Sequence, residues 1–181
     1  MFENLMKCKD LMVRFGGHAM ACGMTIRESD FETFSKRLNE NSGLSPDDFI
    51  SLLHIDIAMP IAAQTEEFIE ELGALSPMGT GNPGPVFAEK GLKLIGINYM
   101  GSEKQHLKLY LLGKGDVKRY AVAFGAADDF NRFALDKFGE EELKKAESFK
   151  PNDIRLDIAY VPEINEYNGK RSIQLKLKAW K

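Results

Sequence analysis

The sequence predicts an α+β protein in two parts, a mixed half of helices and strands followed by a five-stranded β-barrel with one helix between strands 3 and 4. Three observations carry this. Apolar residues recur at helical spacing through much of the chain before residue 76 and at strand spacing after residue 86. Between these stretches, Leu75 to Phe87 places three glycines and three prolines within nine residues. Proline fixes φ and glycine permits φ > 0, so this piece is a rigidly shaped connector and not a floppy linker. The charge also divides. The 181 residues net −3, but residues 1–85 carry 6 bases against 13 acids, whereas residues 86–181 carry 18 against 14.

In the first half, residues 2–14 read as a short helix with Leu5, Met6, Met12 and Val13 among charged neighbours, stopped by Gly16-Gly17. Residues 21–26 are small and apolar, a buried strand. Ser29 and Asp30 offer N-caps for a helix to about residue 41, with Phe31, Phe34 and Leu38 on one face and Asn41-Ser42-Gly43 as its stop. Residues 54–59 alternate as a strand does, and residues 64–75 form an acidic helix with Phe68, Ile69 and Leu72 inward. After the connector come strands over 91–99, 105–112 and 119–124, a helix over 127–138 extended by 140–145, and strands over 154–161 and 172–180. Three strands, a helix and two strands is the order of an OB-fold. The expected divisions are residues 1–75, the connector 76–86, and the barrel 87–181.

Composition bounds the setting. A chain 44% hydrophobic and 28% charged suits one or two globular domains. No apolar run reaches the roughly 18–20 residues of a membrane span, and the N-terminus lacks a signal peptide's basic flank and apolar core. No membrane partner is expected. Cys8 and Cys22 follow neither CxxC nor disulfide-dense spacing, which points to a cytoplasmic protein with both thiols as small buried hydrophobes. Met20, Met24 and Met59 read as core fillers, and Glu140-Glu141-Glu142 with Lys144-Lys145 as a solvated, ion-paired helix end.

Two constellations could carry chemistry. At Gly16-Gly17-His18, consecutive N–H groups can form an anion-binding concavity and the imidazole can donate to a phosphate oxygen. A helix C-cap followed by a structural histidine fits the same tripeptide. OB-folds bind single strands across strands 2 and 3, flanked by the loops joining strands 1–2 and 4–5, which would here be 101–104 and 162–170. His106, Lys108 and Tyr110 alternate with leucines and share one face, and Lys118 and Tyr120 share a face of strand 3. Arg171, Gln174 and Lys176 add donors on the last strand. Outside the acidic helix at 126–147 the barrel half nets +7, a pointer to a polyanion. The alternative is a half-solvated sheet with its polar residues outward. Tyr167-Asn168-Gly169 is a type I′ hairpin turn. For metals, His18, His54 and His106 are widely spaced, and His54 with Asp56 supplies only two ligands.

The connector and the run Arg14 to Ile26, which contains Gly16-Gly17-His18, resemble in order and spacing the RecJ family of bacterial single-strand-specific DNA exonucleases. Cys22 stands where alanine is common in that family. The resemblance implies the end of a DHHA1 domain with its Gly-Gly-His signature, then an OB-fold. It implies that Gly16, Gly17 and His18 hold the scissile phosphate, and that Tyr167 and Asn168 contact the strand or serve only as the turn. It further implies an upstream DHH catalytic domain carrying an Asp-His-His tripeptide and Mn²⁺ or Mg²⁺, a ligand set missing here. The chain alone is therefore expected to bind no metal, to contain no catalytic residue and to hydrolyse nothing. Its role would be substrate capture for 5′→3′ hydrolysis of single-stranded DNA in recombination and repair. The rivals are a free-standing, non-catalytic single-strand-binding module, a phosphoesterase of the oligoribonucleotide or cyclic-dinucleotide type, and a structural interaction domain.

Overall fold

The computed structural model describes residues 2–18, 21–50 and 52–181. The chain divides between Leu52 and Leu53 into two compact units.

The first unit holds α1 (Phe2–Met6), β1 (Met12–His18), β2 (Ala21–Ile26) and α2 (Phe31–Asn41). The helix expected over 2–14 stops at Met6, because residues from Met12 onward pair antiparallel with β2 and satisfy their backbone groups in a hairpin. Leu5, Cys8 and Phe34 form a small core, joined by Cys22, Ile26 and Leu38. Cys8 is fully buried and Cys22 half-buried, both as free thiols. β2, expected to be buried, is mostly exposed, since a two-stranded ribbon turns only one face to a core this small. Met24 is exposed and is no core filler; Met20 lies outside the described residues.

The second unit comprises β3 (Ile57–Ala58), α3 (Glu66–Leu72), β4 (Phe87–Met100), β5 (His106–Leu112), β6 (Lys118–Ala123), α4 (Ala127–Phe138), α5 (Glu140–Glu147), β7 (Arg155–Tyr167) and β8 (Lys170–Trp180). The sheet has six strands where five were expected, in the order β3-β4-β5-β6-β8-β7. The extra strand is the two-residue β3, parallel to the start of β4; only these two residues of the strand expected over 54–59 form. β4 also pairs with β7, so the five long strands close on themselves. Inside lie Leu94, Leu107, Leu109, Leu111, Leu156 and Leu175, all fully buried. The single helix expected after β6 is two, because Gly139 at φ +86° breaks it. α4 and α5 bring Phe130, Ala134, Leu143 and Ala146 into the same core. Lys144 pairs with Glu140, and Lys145 with Glu141 and Glu142, as their spacing predicts.

The second unit begins at Leu53, well before the 76–86 boundary expected from sequence. The cause is a strap, residues 56–64, bound to the barrel. Asp56 accepts the Val86 N–H at 2.8 Å, and Glu89 accepts the Ile61 N–H at 2.6 Å. Ile61 is fully buried, and a Cβ on Gly113 would lie 2.7 Å from its side chain. The Tyr160 hydroxyl donates to Met59 O at 2.8 Å and accepts from the buried Gln64 amide at 3.1 Å. Burial pushes the Tyr160 pKa up to about 12, so its donor proton stays in place across the physiological range. The connector is shaped as expected: Gly79 and Asn82 exchange backbone hydrogen bonds, and the Asn82 amide donates to Leu75 O and Pro77 O.

Candidate nucleic-acid interface

Strand register decides which expected site residues meet. On β5 the leucines point inward, so His106, Lys108, Tyr110 and Leu112 share the outer face. Tyr110 lies directly opposite Tyr120, Lys108 opposite Val122, and Leu112 opposite Lys118. From β8, Gln174 lies opposite Tyr120 and Lys176 opposite Val122. One outer face therefore gathers His106, Lys108, Tyr110, Lys118, Tyr120, Gln174 and Lys176.

The Lys108 ammonium sits 3.8 Å from the centre of the Tyr120 ring and 5.5 Å from that of Tyr110, a cation–π pair inside the platform. The Tyr120 hydroxyl hydrogen-bonds Ser172 Oγ at 2.8 Å, which orients the ring. His106 Nδ1 accepts the Gly125 N–H at 2.9 Å, leaving Nε2 as the nitrogen able to donate outward. Gln174 is drawn into a cross-strand bond with Glu163.

Phe149 was not legible in the sequence and completes the platform. It follows α5 at φ +55°, a conformation rarely held by a bulky residue. Its ring lies over Gly96 and meets Tyr110 edge-on at 5.2 Å. Tyr110, Tyr120 and Phe149, with Lys118, Ser172 and Ile173, line an open cleft of about 580 Å³. A Cβ on Gly96 would fall 2.2 Å from the Phe149 ring. Gly96→Ala is therefore expected to destabilise the unit by about 1–3 kcal/mol through overpacking. Adding Phe149→Ala should recover most of that loss, a coupling that urea unfolding of both single variants and the double variant measures.

Other expected residues lie elsewhere. Arg171 is on the opposite side of β8 from Gln174 and pairs with Glu66 and Glu70 of α3, which raises its pKa. Its charge is spent on tying β8 to α3. Residues 162–167, expected as loop, continue β7, since their backbone pairs with β8 to the very tip. Asn168 and Gly169, at φ +51° and +71°, make the predicted turn, and Tyr167 beside it is 72% exposed.

In the first unit, Gly16, Gly17 and His18 are consecutive residues of β1, not a loop or a helix cap. Successive strand N–H groups point to opposite edges, so they build no concavity. Gly17 is required by space: a Cβ there would lie 2.3 Å from Ala21 O. Among the described residues no three His, Cys, Asp or Glu side chains converge as metal ligands. His54 and Asp56, 3.5 Å apart, form a two-ligand pair at an exposed site.

A closed, largely antiparallel sheet with two aromatic rings and several cations on one open face defines a class, the oligonucleotide-binding domains. The model of the RecJ OB domain family matches residues 55–179, and the chain belongs to that family. It is 30% identical over 180 residues to the single-stranded-DNA-specific exonuclease RecJ of Bacillus subtilis, covering 98% of this chain and 21% of that protein. RecJ of Haemophilus influenzae is 29% identical over 169 residues, 92% of this chain and 26% of that protein. The chain thus spans about a fifth to a quarter of these relatives. Among solved structures, Thermus thermophilus RecJ in complex with Mg²⁺ superposes over 99% of this chain and 24% of its own with a TM-score of 0.66 at 21% identity, a likeness of fold. The α+β class and the barrel half's membership follow; no helix among the described residues is long and apolar enough to cross a membrane.

Proposed function

We propose that the chain is the substrate-capturing portion of a RecJ-type 5′→3′ exonuclease specific for single-stranded DNA, acting in the cytoplasm in recombination and repair. The observation that carries the reading is the Tyr110–Tyr120 pair on one outer face with the Lys108 ammonium over both rings and Lys118 beside them. Unstacked bases present π-faces that a duplex hides, so such a platform favours single strands. Lys108 leaves the Tyr120 ring for a phosphate as a base takes its place. His106 Nε2 and Lys176 line the same path, and Tyr167 with Asn168 lies at its β7–β8 end.

On this reading the first unit is the end of a DHHA1 domain, and the hairpin presents His18, with Gly16 and Gly17, to the scissile phosphate. The Asp-His-His residues and the Mn²⁺ or Mg²⁺ they bind belong to an upstream DHH domain. The residues of this chain bind and orient the strand; bond cleavage lies outside them.

Net charge alone does not carry the binding. The second unit has 18 bases against 19 acids, because the strap and α3 add five carboxylates to the barrel. What matters is that the outer face holds Lys108, Lys118 and Lys176 while Glu66 and Glu70 are engaged by Arg171. Fluorescence anisotropy with a labelled oligonucleotide is expected to show single-strand binding whose log K falls with log salt by about 0.7 per phosphate neutralised. The same preparation with Mn²⁺ or Mg²⁺ should release no nucleotides. Equal affinity for duplex and single strand, or none at low salt, contradicts the reading; metal-dependent hydrolysis contradicts the assignment of chemistry to another domain.

A further inference from the structure

Below the aromatic platform the same outer face continues into a row of cations. Lys118 on β6 lies opposite Leu112 on β5, Leu112 opposite Lys93 on β4, and Lys93 opposite Arg155 on β7. The row thus crosses four strands, the next rung after Tyr110 and Tyr120. Two further clefts, of about 300 and 340 Å³, follow it. The first shares Lys118 and Phe149 with the aromatic cleft and adds Lys93 and Lys150, and the second shares Lys93 and adds Lys90, Lys114 and Arg155.

Lys93 and Arg155 are like charges directly opposite each other in an antiparallel pair, an arrangement that destabilises a sheet. No carboxylate relieves it. Arg155 donates to Gly91 O, and among the described residues none of Lys90, Lys93, Lys114, Lys118 or Lys150 has a carboxylate within ion-pair distance. The two carboxylates lining these clefts are occupied, Glu66 by Arg171 and Glu89 by the Ile61 N–H. A repulsive row whose cations form no ion pair among the described residues, continuous with an aromatic cleft, suits a polyanion in extended form.

We propose that a bound single strand leaves the Tyr110–Tyr120–Phe149 cleft along this row, its phosphates on Lys118, Lys93 and Arg155 and then on Lys114 and Lys150 at the rim. The inference rests on the single-strand reading above. It places the strand's exit from the cleft across the start of β4 and the β5–β6 turn.

The test is Lys93→Gln/Arg155→Gln in the 181-residue chain, with oligothymidylates of increasing length and several salt concentrations. The wild type is expected to gain affinity with length until the row is covered. The double variant should match it on the shortest oligonucleotides, lose affinity on longer ones, and show a salt slope shallower by up to about 1.4, two phosphates at about 0.7 each. Its melting temperature should hold or rise, because the repulsion is gone. Should that variant fold poorly, Lys114→Gln/Lys150→Gln, off the sheet ladder, should give the same length-dependent loss. Wild-type binding with unchanged slope and length dependence in the variants overturns the path alone. Failure of the wild type to bind any single strand overturns the underlying reading as well.

Discussion

Ile61→Ala is expected to lower the unfolding free energy of the 53–181 unit by about 2–5 kcal/mol, the range for emptying a fully buried aliphatic site. Ile61 is far from the barrel strands in sequence, yet it packs in the core and against Gly113. A chain begun at Val86 should fare worse. It loses β3, the Ile61 plug and the acceptor of the Tyr160 proton at Met59 O together, leaving the buried Tyr160 hydroxyl without Met59 and Gln64. Urea unfolding of 53–181, its Ile61→Ala variant and the 86–181 fragment checks this. Equal stability of the two fragments would show that the strap is an appendage and that the domain begins at the connector.

Replacing Tyr110 and Tyr120 together by leucine should weaken single-strand binding at least about thirtyfold. Each base–aromatic stack is worth roughly 1–3 kcal/mol, and about 1.4 kcal/mol is a factor of ten. Leucine retains much of the apolar bulk beside Phe149 while removing the π-face and the cation–π partner of Lys108. The Tyr120–Ser172 bond is lost as well, so the melting temperature must be recorded beside the affinity. A variant that stays folded and binds within threefold of the wild type would remove the rings from the site.

The legible parts of this molecule were those set by local pattern. Leucines alternating with His106, Lys108 and Tyr110 could only form a strand with two unlike faces, and Asn168-Gly169 could make its turn with both residues at positive φ. The less legible parts depend on partners distant in the chain. Nothing near Ile61 or Gln64 announces that they meet Gly113 and Tyr160. Arg171 reads as a free donor until α3 is placed beside it. Phe149 looks like an ordinary residue after an acidic helix; its role follows from a left-handed backbone and the absent side chain at Gly96. Gly16-Gly17 reads as a helix stop because its pairing with Cys22 and Gly23 is invisible to helical periodicity.

The most direct measurement of the central claim is an NMR titration of the isotopically labelled 53–181 unit with a short oligothymidylate. Shifts are expected to cluster on the outer face, at Lys108, Tyr110, Lys118, Tyr120 and Phe149, and to extend to Lys93 and Arg155 as the oligonucleotide lengthens. Shifts confined to the side formed by Ile55, Ala88 and Trp180, with the Tyr110–Tyr120 face silent, would contradict the claim.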